Sequence, residues 1–240
     1  MKRLLTVVDM ALSKGDFILV EYNVRVKETN TLLDTTDAEL AKKENIYEEG
    51  KVYGPTLIIL GRGWLNESVE EELLKHDVGS EVEVEVPPEK AFGERSPDKV
   101  KTFSLREFQR RGLSVSVGDV VEVEGRQGVV KNISGGRVTI DFNHPLAGKT
   151  LVFKVKIVGK LEDTVEKLKA LASRYLKIPS SEIEVSLLSD EKKLTVTIPG
   201  KYLSKRDLGY SKLALAADVF DTFKDSVSTL VFQDVVSRPS

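Results

Sequence analysis

Cysteine is missing from all 240 residues, which removes disulfides, thiolate metal sites and cysteine nucleophiles together. Histidine occurs only at His76 and His144, too few for a histidine-rich metal site. Aliphatic stretches such as Leu57-Ile58-Ile59-Leu60 fall far short of a bilayer span. The N-terminal MKRLLTVVDM starts like a signal peptide, but Asp9 breaks its apolar run after a few residues, and Met10 offers an alternative start. A cytoplasmic location is expected. Internal repeats and low-complexity runs are absent too. So is a strong charge excess: 11 basic and 19 acidic residues fall in 1–93, and 9 and 6 in 94–140. No segment has the basic surplus that nucleic-acid binding demands, and neither nucleic acid nor membrane is an expected partner.

What remains is a soluble globular composition, 40% apolar and 31% charged, long enough for one large domain or two to three small ones. Few Asn and Gln beside many Lys, Arg and Glu give it a thermophile-like cast.

Alternation marks strands at 16–26 and at 81–86, where Glu81, Glu83 and Glu85 oppose Val82, Val84 and Val86. Between them Asn66 or Ser68 can cap a helix running to about His76, with Leu65, Val69 and Leu73 at four-residue spacing. Strands with one helix predict an α+β domain. After Gly93 the texture changes. Ser104 with Glu107 is a capping-box pattern for a short helix ending near Gly112. Strands follow at 119–124, 127–133 and 137–142, the last two joined by a Ser134-Gly135-Gly136 hairpin turn. This small β-rich unit reads as an insertion. Beyond Gly159 an amphipathic helix over 161–177, strands at 182–188 and 192–198, a helix opened by Ser204 and a strand at 227–232 predict an α/β layer.

Gly61-Arg62-Gly63 opens like a dinucleotide fingerprint, but Asn66 stands where the third glycine belongs, so a glycine turn feeding a helix is the better reading. Glu70-Glu71-Glu72 suits a helix start, where the macrodipole favours negative charge. His144 fits a role in bonding backbone groups to fix its turn. Tyr22, Phe92 and Phe153 fall on strands or strand ends, Leu146 in a turn, and Asp34 directly after Leu32-Leu33. These residues either plug an ordinary core or line a pocket that something else fills.

Four motifs carry a resemblance. They are Leu33-Asp34 after the first strand, LGRGWLNESVEEEL at 60–73, Pro87-Pro88-Glu89-Lys90-Ala91-Phe92-Gly93, and Asn143-His144-Pro145-Leu146-Ala147-Gly148 before the strand LVFKVKIV. In this order and spacing, over 14–159, the chain resembles the FKBP-type peptidyl-prolyl cis–trans isomerases, most closely their long SlyD-like and archaeal members. The resemblance implies a curved antiparallel sheet wrapped on one short helix, formed by 1–93 and 141–159. It further implies an insert-in-flap chaperone domain at 94–140 and a C-terminal α/β domain at 160–240. It implies catalytic roles for Tyr22, Asp34, Phe92 and Phe153, and substrate contacts from Leu33, Leu65, Asn66, Val69 and Leu146, with no metal and no cofactor. Proline-containing peptides and unfolded proteins are the implied partners, with a homodimer through the C-terminal domain. Phe92 stands where the family carries tyrosine, Asn66 where it carries an apolar residue, and Val69 where some members have tryptophan. The alternative is a chaperone or binding module with weak or no isomerase activity; a sheet protein with a filled core would bind no proline peptide at all.

Overall fold

The computed structural model describes residues 11–236. The MKRLLTVVDM segment, with Met10 as an alternative start, lies outside the described residues. Two compact units are present: the chain up to Arg25 with Asn30–Val84 and Val152 onward, and Val26–Thr29 with Glu85–Leu151.

The first unit opens with β1 (Phe17–Val26) and β2 (Leu32–Thr35), paired antiparallel with Val24 opposite Asp34. A short helix, α1 (Ala38–Lys43), follows where the sequence reading placed none. Asp37 starts it by accepting the N–H groups of Glu39 at 2.8 Å and Leu40 at 3.1 Å, and the helix buries Ala41. Next come β3 (Thr56–Ile59), antiparallel to β1 with Phe17 opposite Ile59, then α2 (Glu67–Leu73) and β4 (Glu81–Val86). Alternation along β1 buries Ile18, Val20, Val24 and Val26 on one face and exposes Glu21 on the other.

In the second unit β5 (Val100–Ser104) leads into α3 (Leu105–Arg110), then β6 (Val120–Val123), β7 (Arg126–Ser134) and β8 (Arg137–Asp141). They form a four-stranded antiparallel sheet in the order β5-β8-β7-β6. Its core is small: Phe108, Val123, Val130, Val138 and Ile140, flanked by Phe103 and Phe142. Gly128 in β7 is there because space is short; a Cβ would lie 2.6 Å from Ile140 Cγ2 and 2.8 Å from Phe142 Cδ1. The two ends of the β-rich segment are stapled side by side. Asn143 accepts the Ser96 N–H and donates to the Ser96 carbonyl, both at 2.9 Å, while buried Asp141 holds Arg95 and the Asn143 amide.

The chain returns to the first unit through β9 (Leu151–Leu161), whose Leu151, Phe153, Val155 and Ile157 are buried in alternation with exposed lysines 154 and 156. With it the sheet runs β2-β1-β9-β4, β3 also pairing with β1. Lys154 on Glu83 and Lys156 on Glu81 mark the antiparallel register of β9 and β4. Then follow α4 (Thr164–Leu176), β10 (Glu184–Leu188), β11 (Lys193–Pro199), α5 (Leu208–Thr222) and β12 (Thr229–Val235). β10 and β11 form a hairpin, and β12 lies parallel to β11 after the α5 crossover. α5 starts at Leu208, not at Ser204; the intervening Lys205 turns its side chain back to donate to the carbonyls of Leu176 and Lys177 that end α4.

Phe17, Leu57 and Ile59 from β1 and β3 pack into one core with Leu168, Leu171 and Ala172 of α4 and Val219 of α5. Phe17 and Phe223 meet with ring centres 5.7 Å apart. α4 thereby lies against β3. Among the described residues, no helix is long and apolar enough to cross a membrane.

Candidate functional site

Strand period two places Tyr22 on the same face of β1 as Ile18, Val20 and Val24. Because Val24 faces Asp34 across β2, Asp34 sits diagonally from Tyr22, within reach of a long side chain. The Tyr22 hydroxyl donates to Asp34 Oδ2 at 2.8 Å. The other carboxylate oxygen accepts the Thr35 N–H at 2.8 Å and the Lys51 ammonium. Asp34 is therefore fixed from three sides. Burial, followed by the charge of Asp34 and its hydrogen bond, pushes the Tyr22 pKa well up, so the phenol stays a neutral donor. Tyr22, Leu33 and Asp34 line a cleft of about 1080 Å³, with Trp64 and, from α4, Arg174 on its walls.

The turn before α2 is a left-handed glycine pair, Gly61 at φ +86° and Gly63 at φ +65°, which bends alternate N–H groups inward. Glu70 fills that concavity. Its buried carboxylate accepts the N–H groups of Gly61 at 2.8 Å, Gly63 at 3.0 Å and Leu65 at 3.1 Å. The acidic run thus does more than favour a helix start: one member clamps the turn to its helix. Arg62, pointing outward, binds Asp218 and donates to Asp221 at 3.3 Å and Thr222 at 2.6 Å on α5. Trp64 meets Tyr175 edge-on at 6.4 Å and lies 4.3 Å beneath the Arg174 guanidinium.

Asn66 is the N-cap of α2, its Oδ1 accepting the Ser68 N–H at 3.0 Å. That is why a polar residue is suitable there: the side chain serves the helix. Leu65 beside it is half-buried. Val69 and Phe153 are 0% and 5% exposed and do not line the cleft. Each belongs to an inward-facing apolar stripe, with Leu73 on α2 and with Leu151, Val155 and Ile157 on β9.

Phe92 and Leu146 belong to the second unit. Phe92 is 45% exposed, its ring stacked on His144 at 4.4 Å and 3°. His144 Nδ1 accepts the Leu146 N–H at 3.2 Å, fixing the turn as expected. The Gly148 N–H donates to the Gly93 carbonyl at 2.8 Å, tying the Phe92 loop to the Leu146 turn. Lys51, Trp64, Glu70 and Arg174 were missed in the sequence. Only Glu70 had a local signal, nine residues after the first of two spaced glycines.

Comparison with known proteins draws these observations together. The short-type peptidyl-prolyl cis-trans isomerase of Methanocaldococcus jannaschii is 33% identical over 146 residues, 61% of this chain and 92% of that protein. The chain belongs to the FKBP-type peptidyl-prolyl cis–trans isomerase family. Another relative in this family, the FKBP-type 16 kDa peptidyl-prolyl cis-trans isomerase of Escherichia coli, is 36% identical over 140 residues, 56% of this chain and 88% of its own. The FKBP-type isomerase SlyD of Helicobacter pylori is 30% identical over 161 residues, 65% and 78%. Two family models also match: the family described as FKBP26, IF domain, over 102–146, and FKBP26_C-terminal over 164–237.

Proposed function

We propose that this FKBP-family protein accelerates cis–trans isomerisation of X–Pro bonds in peptides and unfolded proteins, in the cleft walled by Tyr22, Leu33 and Asp34. The Tyr22–Asp34 hydrogen bond on the cleft wall, set beside the apolar Leu19, Leu33, Leu57 and Trp64, carries the reading: a fixed polar pair orients an amide without attacking it. Rotation breaks no bond. Its barrier, about 18–20 kcal/mol, comes from C–N resonance. The planar amide is more polarised than the twisted one, so losing water on entry costs the planar form more, and contacts favouring the twist lower the barrier further. Tyr22 supplies a neutral donor, and Asp34 a carboxylate whose position Lys51 and the Thr35 N–H hold. Catalytic roles for Phe92 and Phe153, and substrate contacts from Leu65, Asn66, Val69 and Leu146, are assigned by family resemblance.

The division into 1–93 with 141–159 for catalysis, 94–140 for capture of unfolded chain and 160–240 as an accessory α/β domain belongs to the same proposal. The insert has spare apolar edge surface, with Val120 on β6 and Val117 and Leu113 before it all exposed. Strand addition there would raise the local concentration of prolines. A second copy of the chain is assigned to α5, whose Tyr210, Leu213 and Phe220 form an exposed apolar stripe. A cytoplasmic place of work completes the proposal and is checked by cell fractionation.

The deciding experiment is a protease-free exchange assay on a proline tetrapeptide. The isomerase reading predicts acceleration over the uncatalysed tens to hundreds of seconds. Suppression of aggregation without any acceleration would leave the chaperone-only alternative.

A further inference from the structure

Among the described residues, Arg174 on the cleft wall makes no ion pair. Arg174 on α4 is half-buried; its Nη1 donates to the Leu57 carbonyl at 3.1 Å and its guanidinium covers the Trp64 ring at 4.3 Å. Among the described residues, no carboxylate is within 4 Å of it. The two carboxylates whose charge reaches it are committed elsewhere: Asp218 to Arg62, Tyr175 and Thr222, and Glu70 to three backbone N–H groups. Among the described residues, no buried side-chain nitrogen lacks a hydrogen-bond partner, so the unused N–H groups of Arg174 keep access to open space. The space it borders is the cleft that holds Tyr22 and Asp34.

A guanidinium offers five donors in a planar fork matched to a carboxylate, and here one is spent on a carbonyl. Burial draws its pKa down and outweighs the partial compensation from the more distant Asp218 and Glu70, yet arginine keeps its proton. The other groups on this wall do not neutralise it. Lys177 and Arg206 add positive charge, Lys205 is turned onto the α4 carbonyls, and the acidic Asp207, with Glu48 and Glu49 from the segment before β3, lines the cleft without pairing with Arg174. Across the cleft, Asp34 is already occupied by Lys51 and Tyr22.

We propose that Arg174 is a specificity-determining residue of the cleft, selecting substrates that carry an aspartate or glutamate side chain close to the proline. This rests on the isomerase reading, which puts the proline beside Tyr22. An incoming carboxylate converts a half-buried lone cation into a charge-assisted bidentate pair, while a lysine at the same position meets repulsion.

Trp64 is the chain's one tryptophan and lies directly beneath Arg174, so its fluorescence reports occupancy of the cleft without any need for turnover. The test titrates wild-type protein with proline tetrapeptides bearing Glu, Gln or Lys beside the proline, and measures isomerisation of the same peptides in parallel. Wild type is expected to bind the Glu peptide about tenfold tighter than the Lys peptide, a ratio that shrinks in high salt. R174Q should collapse the ratio, and R174K should keep its direction. Equal affinity for all three peptides in wild type overturns the proposal, as does a Glu preference that survives in folded R174Q. Should R174Q not fold, the wild-type ratio and its salt dependence decide. A Glu preference without accelerated exchange of any peptide would sink the isomerase reading and leave the carboxylate site standing.

Discussion

Tyr22 and Asp34 meet across neighbouring strands through a 2.8 Å hydrogen bond, and the geometry of strand pairing makes that meeting unavoidable. A diagonal pair on one face brings a phenol to a carboxylate but would be out of reach for a shorter side chain. Tyr22→Phe keeps the ring and deletes the bond, leaving Asp34 to the Thr35 N–H and Lys51. A bond to a charged acceptor is worth about 1.5–3 kcal/mol, so kcat/KM on a tetrapeptide should fall by about one to two orders of magnitude. An unchanged rate would remove Tyr22 from the mechanism.

The same pair makes a pH prediction. The Tyr22 pKa is raised in the folded protein, whereas an unfolded tyrosine ionises near pH 10. The folded state therefore holds this proton more tightly. The stabilisation is complete below about pH 10 and drains away as pH climbs through the higher folded value. Urea midpoints between pH 8 and 11 should fall more steeply for wild type than for Tyr22→Phe. Tyr175 and Tyr202, also raised, contribute equally to both curves.

Glu70→Gln tests the turn clamp. Glutamine has one acceptor oxygen, and its NH₂ would face the N–H groups of Gly61, Gly63 or Leu65 instead of accepting from them. Leaving such donors unpaired costs about 2–3 kcal/mol, read as a lower urea midpoint at unchanged slope. Trp64 fluorescence should shift as well, since the clamped turn carries that ring.

Much of this was legible in the sequence, and the exceptions share a cause. Period-two alternation located β1 and β4 because one face of each is buried and the other is not. The N-cap at Asn66 and the hairpin glycines at 135–136 were local features, and local chemistry decides them. α1 was missed although Asp37 heads it, since its six residues bury only Ala41 and offer no apolar stripe to read. Arg174 was invisible for a deeper reason. Its significance comes from Leu57 and Trp64, more than a hundred residues earlier, and no pattern within α4 distinguishes it from a solvated charge.

Phe92, where the family resemblance leads one to expect a tyrosine, lies on a loop that its stacking on His144 holds in place. Phe92→Tyr adds one hydroxyl to a ring that is 45% exposed, so stability should stay within about 0.5 kcal/mol. If that hydroxyl bonds a substrate carbonyl, kcat/KM should rise a few-fold on tetrapeptides. No change would mean that the ring serves only the loop.

Gly128→Ala isolates the insert. The added methyl would sit 2.6 Å from Ile140 Cγ2, inside a core of five buried side chains, and overpacking of this kind costs about 1–3 kcal/mol. So small a unit has little stability to spare. Refolding of a proline-limited protein should slow markedly relative to wild type, while tetrapeptide exchange should hold steady. Equal losses on both substrates would refute the division of labour between insert and cleft.

The α5 stripe makes the assembly testable. Tyr210 and Leu213 are 79% and 70% exposed, and with Phe220 they recur at spacings of three and seven, so they share one side of the helix opposite buried Leu215 and Val219. A face this apolar is costly to leave in water, and a matching face on a second copy would cover it by two-fold symmetry. Leu213→Glu places a charge at its centre without touching the core beneath. Sedimentation of wild type should give twice the 26.7 kDa chain mass, and Leu213→Glu should give the single mass with unchanged circular dichroism. Because Leu213 is exposed and does not line the cleft of Tyr22, tetrapeptide exchange should persist in the monomer. A wild type that sediments as one chain at micromolar concentration would remove the homodimer from the proposal.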